Sequence, residues 1–169
     1  ANNLKNIPLI ESLLTVPGMD VNAVDIYGQT PLHRACCEGQ AANVKTLLIH
    51  GAIVDARDYE HKTPLLTVAR FYYNGSGDKA EVEIARLLLD NGADVNAVDA
   101  FANTPLLYLA EADMDRHLNL ARLLIRYGAN VNQQNYRGDT FLHRASVMGT
   151  AAMMELAIRA GADLSIRNF

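Results

Sequence analysis

The chain is short of cysteine, of positive charge and of long apolar runs, and each shortage removes a class of explanation. Its two cysteines, Cys36 and Cys37, are adjacent. Neighbours on a helix point about 100° apart, too divergent for a disulfide. The pair is therefore expected as two buried thiols in a reducing compartment. Lys and Arg number 15 against 19 Asp and Glu, a net charge of −4. No basic excess is available to displace counterions from a phosphate backbone, which argues against nucleic acid as the natural partner. No apolar stretch approaches the roughly 18 residues that a membrane span needs. The amino end has no basic region leading into an apolar one, as a secretory signal would. With 169 residues, half of them hydrophobic, the chain suffices for one well-buried core. The expectation is a single soluble, cytoplasmic domain.

What the chain does have is repetition. Thr-Pro-Leu occurs at Thr30, Thr63 and Thr104, and returns altered as Thr140-Phe141-Leu142, at spacings of 33, 41 and 36 residues. Gly-Ala recurs at Gly51, Gly92, Gly128 and Gly161, and each of the first three stands 12 residues before the next Thr. The interval from each Thr to its own Gly is 21, 29, 24 and 21 residues. All length variation therefore sits in one half of a repeated unit.

The unit from Asp25 to Arg57 shows the local logic. The Thr30 hydroxyl is placed to cap a helix, and Pro31 suits its first turn, where a missing N–H costs nothing. Leu32, Ala35 and Cys36 supply an apolar face, and Gly39 stops this short helix A. A helix B is expected from about Ala41 to His50, with Val44, Leu47 and Leu48 at helical spacing. Gly51 ends it in the left-handed conformation that glycine enters cheaply. Residues 53–58 read as an extended hairpin leading to the next cap. Helices this short have one face to bury and are marginal alone, so stacking of units is required.

The segment Asp25-Ile26-Tyr27-Gly28-Gln29-Thr30-Pro31-Leu32-His33-Arg34-Ala35 resembles the opening of an ankyrin repeat. Leu47-Leu48-Ile49-His50-Gly51-Ala52 resembles its second-helix ending, and Asp94-Val95-Asn96-Ala97 its hairpin. The resemblance covers about nine-tenths of the chain. It implies an all-α solenoid of stacked helix-turn-helix units with short β-hairpin fingers, whose fingers and inner helices line a concave groove. The units fall at 25–57, 58–98, 99–134 and 135–167, after a partial repeat at 1–24. Nothing follows the hairpin start at Leu164, so a fragment of a longer protein is expected.

Departures from the family pattern are specific. His61 and Ala102 stand where the family has its turn Gly, Leu66 and Leu107 where it has the His found at His33 and His143, and Phe141 replaces Pro. The extra residues of the second unit are expected to lengthen the end of helix A and its loop. Asp78 followed by Glu81 resembles a capping box restarting helix B.

No chemistry of catalysis emerges. Gly75-Ser76-Gly77-Asp78-Lys79 lacks the spacing and the preceding strand of a phosphate loop. His33 and Cys36 have metal-ligand spacing but no second ligand pair follows. Asp113, Asp115 and His117 form an acidic loop without a calcium-site pattern. There is no Ser-His-Asp ordering, no catalytic carboxylate pair and no zinc-protease motif. The chain is expected to be non-enzymatic, with no cofactor and no metal.

The finger tips carry the binding signal. Tyr27, Tyr59, Phe101 and Tyr136 fall at the second or third position of the four fingers, forming a row of amphipathic rings on a rigid frame. Gln29, Glu60, Lys62, Asn103 and Arg137 accompany them. On helix A the groove-facing positions are Arg34, Cys37 and Glu38, then Arg70 and Phe71, then Tyr108 and Glu111, then Arg144, Val147 and Met148. Mixed charge around apolar centres suits a protein or peptide partner, bound by a monomer. The alternative is the targeting domain of a larger enzyme, such as a bacterial or viral effector acting in host cytoplasm. Asn22, Asn96 and Asn132 each have a Leu eight positions earlier, a pattern that resembles the ankyrin substrate of an asparaginyl hydroxylase.

Overall fold

The computed structural model describes residue 16 and residues 18–70, 77–110, 117–148 and 150–169, and only the backbone of residues 77 and 78. The described residues form α1 (Pro31–Cys37), α2 (Ala41–Ile49), α3 (Pro64–Arg70), α4 (Gly77–Asp90), α5 (Pro105–Leu109), α6 (Leu118–Arg126), α7 (Phe141–Met148) and α8 (Ala151–Arg159). Each odd-numbered helix packs on the even-numbered one that follows it. The odd helices stack on one another as an inner row, and the even helices stack as an outer row. Among the described residues no helix is long and apolar enough to cross a membrane.

The inner helices start where the threonines require. Thr30, with extended ψ of 165°, accepts the His33 N–H on its hydroxyl, and the His33 Nδ1 accepts the Thr30 N–H at 3.2 Å in return. Because Nδ1 is the acceptor, Nε2 carries the proton, and it donates to the Lys62 carbonyl at 3.0 Å in the next unit. Thr140 and His143 repeat the reciprocal cap at the far end. Leu66 and Leu107 cannot reciprocate, yet Thr63 and Thr104 still accept their N–H groups at 3.3 and 3.2 Å. Both leucines are buried, so apolar burial replaces a polar link and the helix start is unchanged.

The outer helices end at the recurring glycines. Gly51, Gly92, Gly128 and Gly161 have φ between +85° and +89°. The alanine after each returns its N–H to a carbonyl five residues back, as in Ala52 to Leu47 and Ala93 to Leu88 at 3.0 Å. This six-to-one bond requires the left-handed glycine before it, which explains why Gly-Ala recurs as a pair.

Between these landmarks lies one core. Leu32, Leu47, Leu65, Leu88, Leu106, Leu124, Phe141 and Met153 all belong to a single buried cluster. Cys36 is buried, as expected, but Cys37 is only partly so. Cys37 sits one helical step beyond the apolar face, and burial raises both thiols above the ordinary range.

Part of the additional length of the second unit lies in its outer helix, which was not anticipated, while residues 71–76, where a longer helix A end and loop were expected, lie outside the described residues. Among the described residues α4 has 14 residues against 9 in α2. Since both outer helices end two residues before their Gly, the gain lies at the amino end of α4. Glu81, in that extension, is fully buried, and its Oε2 lies 3.0 Å from Nδ1 of His117 at the start of α6. His117 thus belongs to a buried pair, not to a solvated acidic loop, because the lengthened helix brings a carboxylate to it. Residues 113 and 115 lie outside the described residues, as does the Asp78 side chain of the expected capping box.

Candidate partner-binding surface

The fingers are tight hairpin turns, and their construction sets the spacing of the surface. Five residues before each cap threonine stands Asp25, Asp58, Asp99 or Asn135. The side-chain Oδ1 of each accepts the backbone N–H groups two and four residues on, all at 2.8–3.0 Å. An Asx side chain therefore takes the place of the strand ladder that a longer hairpin would use, and no strand pairing occurs among the described residues. One backbone bond then ties each finger to the last: Tyr59 N–H to Tyr27 O, Ala100 to Glu60 O, Tyr136 to Phe101 O and Phe169 to Arg137 O, each at 3.1 Å.

This turn demands a positive φ at its fourth residue. Gly28 and Gly138 supply it at +77°. His61 and Ala102 adopt +61° and +60°, so the two central fingers keep the glycine geometry with L-residues in a strained region. At Gly28 the constraint is double, since a Cβ would fall 2.6 Å from Cδ1 of the Tyr59 ring.

The aromatic row is exposed, with the Tyr59 ring lying over Gly28 of the preceding finger. Tyr27, Tyr59, Phe101 and Tyr136 are 62, 72, 66 and 73% exposed. Two adjoining recesses lie beside them. The first, about 440 Å³, is lined by Tyr27, Gln29, Tyr59, Glu60, Lys62 and Arg70, together with Asp58. The second, about 580 Å³, is lined by Glu60, Arg70, Phe101, Asn103, Tyr108, Tyr136, Arg137 and Arg144, together with Asn135. Glu60 and Arg70 line both, so the recesses form one groove along the fingers and the inner helices.

Its polar groups are interlocked. Arg70 lies 3.3 Å from Glu60 and places its guanidinium carbon 5.8 Å from the Tyr108 ring centroid, within cation–π range. Lys62 also pairs with Glu60, and its side chain is largely buried. Burial and the Arg70 charge push its ammonium below the ordinary lysine range. Tyr108 donates its hydroxyl to Asp99 Oδ2. Burial first, and that bond second, raise its phenol to about 12. Asn135 Nδ2 donates to Asn103 Oδ1 at 2.9 Å, and Arg144 Nε to Asp139 Oδ2 at 3.0 Å. A groove preorganised in this way loses little side-chain entropy on docking.

Other expected site residues are placed elsewhere. Arg34 and Glu38 pair at 3.5 Å and line a separate apolar recess with Val21, Pro31 and Leu47. Met148 and Val147 are exposed at the end of α7. Phe71 and Glu111 lie outside the described residues. Asp58 and Asn135 were not anticipated as lining residues, although an Asx five places before every cap threonine was available as a signal.

Asn22, Asn96 and Asn132 have a shared structural role. Each Oδ1 accepts a backbone N–H of the next unit at 2.8 Å, from Ile53, Asn130 and Asp163. Each Nδ2 donates to a carbonyl of the terminal glycine there, Gly51, Gly128 or Gly161, at 3.2–3.4 Å. Between the first and second units Asp55 substitutes, accepting the Asp94 N–H at 3.0 Å.

The comparisons with known proteins agree with this architecture. A family model for ankyrin repeats in three copies matches residues 1–99 and 76–168. The chain is 33% identical over 99% of its length to the mouse B-cell lymphoma 3 protein homolog, and 32% identical over 98% to the human B-cell lymphoma 3 protein. It spans only 38 and 35% of those two proteins. Over 72% of the chain it is 30% identical to the ankyrin repeat protein OPG189 of Variola virus, of which it spans 21%. From its capped inner helices to these matches, the chain belongs to the ankyrin-repeat family.

Proposed function

We propose that the chain is a non-enzymatic binding module that takes a protein or peptide partner in the groove between the fingers and the inner helices. The observation that carries this is the exposed row of four finger-tip rings beside a groove whose charged groups are already held in place. Rigid amphipathic rings flanking a mixed-charge floor are what hot spots of protein interfaces are made of. His33, the family histidine, has both ring nitrogens engaged in structural bonds, which fits a scaffold and not a catalytic base. As the chain spans about a third of the B-cell lymphoma 3 proteins and resembles a viral ankyrin protein, a role as the targeting part of a larger effector is the second reading.

The test is to select peptides from a random library on the immobilised chain and measure them against variants. Tyr59→Ala, Phe101→Ala and Arg70→Ala should each weaken the selected ligands by about 1–3 kcal/mol, with circular dichroism unchanged. Ligands that bind all three variants normally would refute the assignment.

A further inference from the structure

A fourth recess, of about 480 Å³, is lined wholly by α4 and α6 in the outer row, away from the fingers. Lys79 and Arg86 border it on α4, and Arg122 and Arg126 on α6. In α4 the lining positions are 79, 82, 83 and 86, and in α6 they are 119, 122, 123 and 126. Both sets follow the i, i+3, i+4, i+7 spacing of one helix stripe. Since α4 and α6 pack side by side, the stripes form the walls of a trough.

The trough is unlike the rest of the surface in its charge. The chain carries a net −4, yet this lining holds four cations and one carboxylate, Glu83. Elsewhere exposed helical arginines pair with a carboxylate one turn away, as Arg34 does with Glu38 and Arg159 with Glu155. Among the described residues none of the four trough cations is in an ion pair. Asp90, the next carboxylate along α4, accepts the Tyr127 hydroxyl, which the Arg86 guanidinium also approaches. Beneath the cations the floor is apolar, formed by the half-buried Val82 and the buried Leu123.

We propose that the trough between α4 and α6 binds a short acidic segment of a partner protein, its carboxylates on the four cations and an apolar side chain on Val82 and Leu123. Charge complementarity selects the occupant. Arg122 and Arg126 offer planar forks that match carboxylates. Lys79 and Arg86 are seven residues apart, about 10 Å along the helix, the length of about three residues of extended chain. The lining carries four cations and one carboxylate, a net +3 in a chain of net −4, so the rest of the chain is net −7, which disfavours a long polyanion, and Glu83 within the lining opposes it further. A short segment stays within the roughly 8 Å over which the local charges act at physiological salt. This site is independent of the concave groove. Lys79 itself lies in the added turn of α4, so the extension that buries Glu81 also completes the trough.

A fluorescein-labelled peptide of alternating glutamate and leucine, titrated by fluorescence anisotropy, tests the assignment. Binding should saturate and weaken as salt rises. Arg122→Glu with Arg126→Glu should reduce affinity roughly tenfold or more, and the milder Arg122→Gln with Arg126→Gln should reduce it by less. Arg159→Glu with Arg167→Glu makes the same change in net charge off the trough and should leave binding intact. Peptides selected on the concave groove should bind all of these variants normally. Equal losses in the two Glu pairs would show general electrostatics and overturn the proposal. So would an absence of binding, or tighter binding at the trough by a single-stranded RNA oligomer or by phosphatidylserine vesicles.

Discussion

Removing the Asp99 carboxylate should cost more stability than its position on a finger turn would imply. Asp99 is buried, and its Oδ1 accepts the N–H groups of Phe101 and Asn103 at 2.8 Å each. Its Oδ2 takes the Tyr108 hydroxyl and, at 3.4 Å, the Asn103 amide. A buried N–H left without its acceptor costs about 1–3 kcal/mol. Water can reach part of this turn, since Asn103 is half-exposed. The net loss for Asp99→Ala is therefore expected at about 2–4 kcal/mol. Asp99→Asn keeps the Oδ1 acceptor, as Asn135 does for Arg137 and Asp139, and should cost less than about 1 kcal/mol. Urea unfolding followed by circular dichroism measures both. Ultraviolet titration of the tyrosines adds an independent reading, because the phenol held near 12 should titrate at lower pH once the neighbouring charge is gone. Equal destabilisation by Ala and Asn would refute the reasoning, since it would make charge, not turn geometry, the source of stability.

Glycine should relieve the two strained fingers. His61→Gly and Ala102→Gly are expected to stabilise by up to about 1 kcal/mol, the left-handed penalty less the entropy of glycine. Gly28→Ala should destabilise because its Cβ meets the Tyr59 ring, and thermal melts compare all three. Leu88→Ala, at a fully buried core position, should lose about 2–5 kcal/mol in urea unfolding. Burial holds the His33 imidazole below its ordinary pKa, so the unfolded chain binds this proton more readily. The stability it permits is present above about pH 6.5 and is lost as pH falls from there through the folded pKa, by at most about 1.4 kcal/mol per pH unit. His33→Leu, which copies Leu66, should flatten that part of the pH profile in urea titrations. Treatment with an asparaginyl hydroxylase should add one oxygen to Asn22, Asn96 or Asn132, read by mass spectrometry. Unmodified peptides under conditions that hydroxylate a control ankyrin substrate would remove that expectation.

The elements set by short-range chemistry were legible in the chain itself. Thr-Pro caps, left-handed glycines and leucines at helical spacing act within a few residues, and they located the inner and outer helices and a core of Leu47, Leu48, Leu88, Leu89, Leu123 and Leu124, of which all but the half-buried Leu48 are buried. The finger rings fall at the second or third residue of each turn, and all four are exposed even though Tyr59 lies against Gly28. Stacking decided the rest. Whether Asp99 meets Tyr108, whether Glu81 meets His117 and whether Lys79 shares a trough with Arg122 depends on how one unit lies on the next. That alignment is set by the summed packing of the core, and it shifts with where inserted residues go. The eight added residues of the second unit could lengthen either helix or the loop. Helix B took part of them, and the extra turn buries Glu81 against His117, which stands at the start of the third unit's helix B. A pattern of one sequence carries the stripe of each helix, but only the tertiary structure sets two stripes side by side and makes a surface of them.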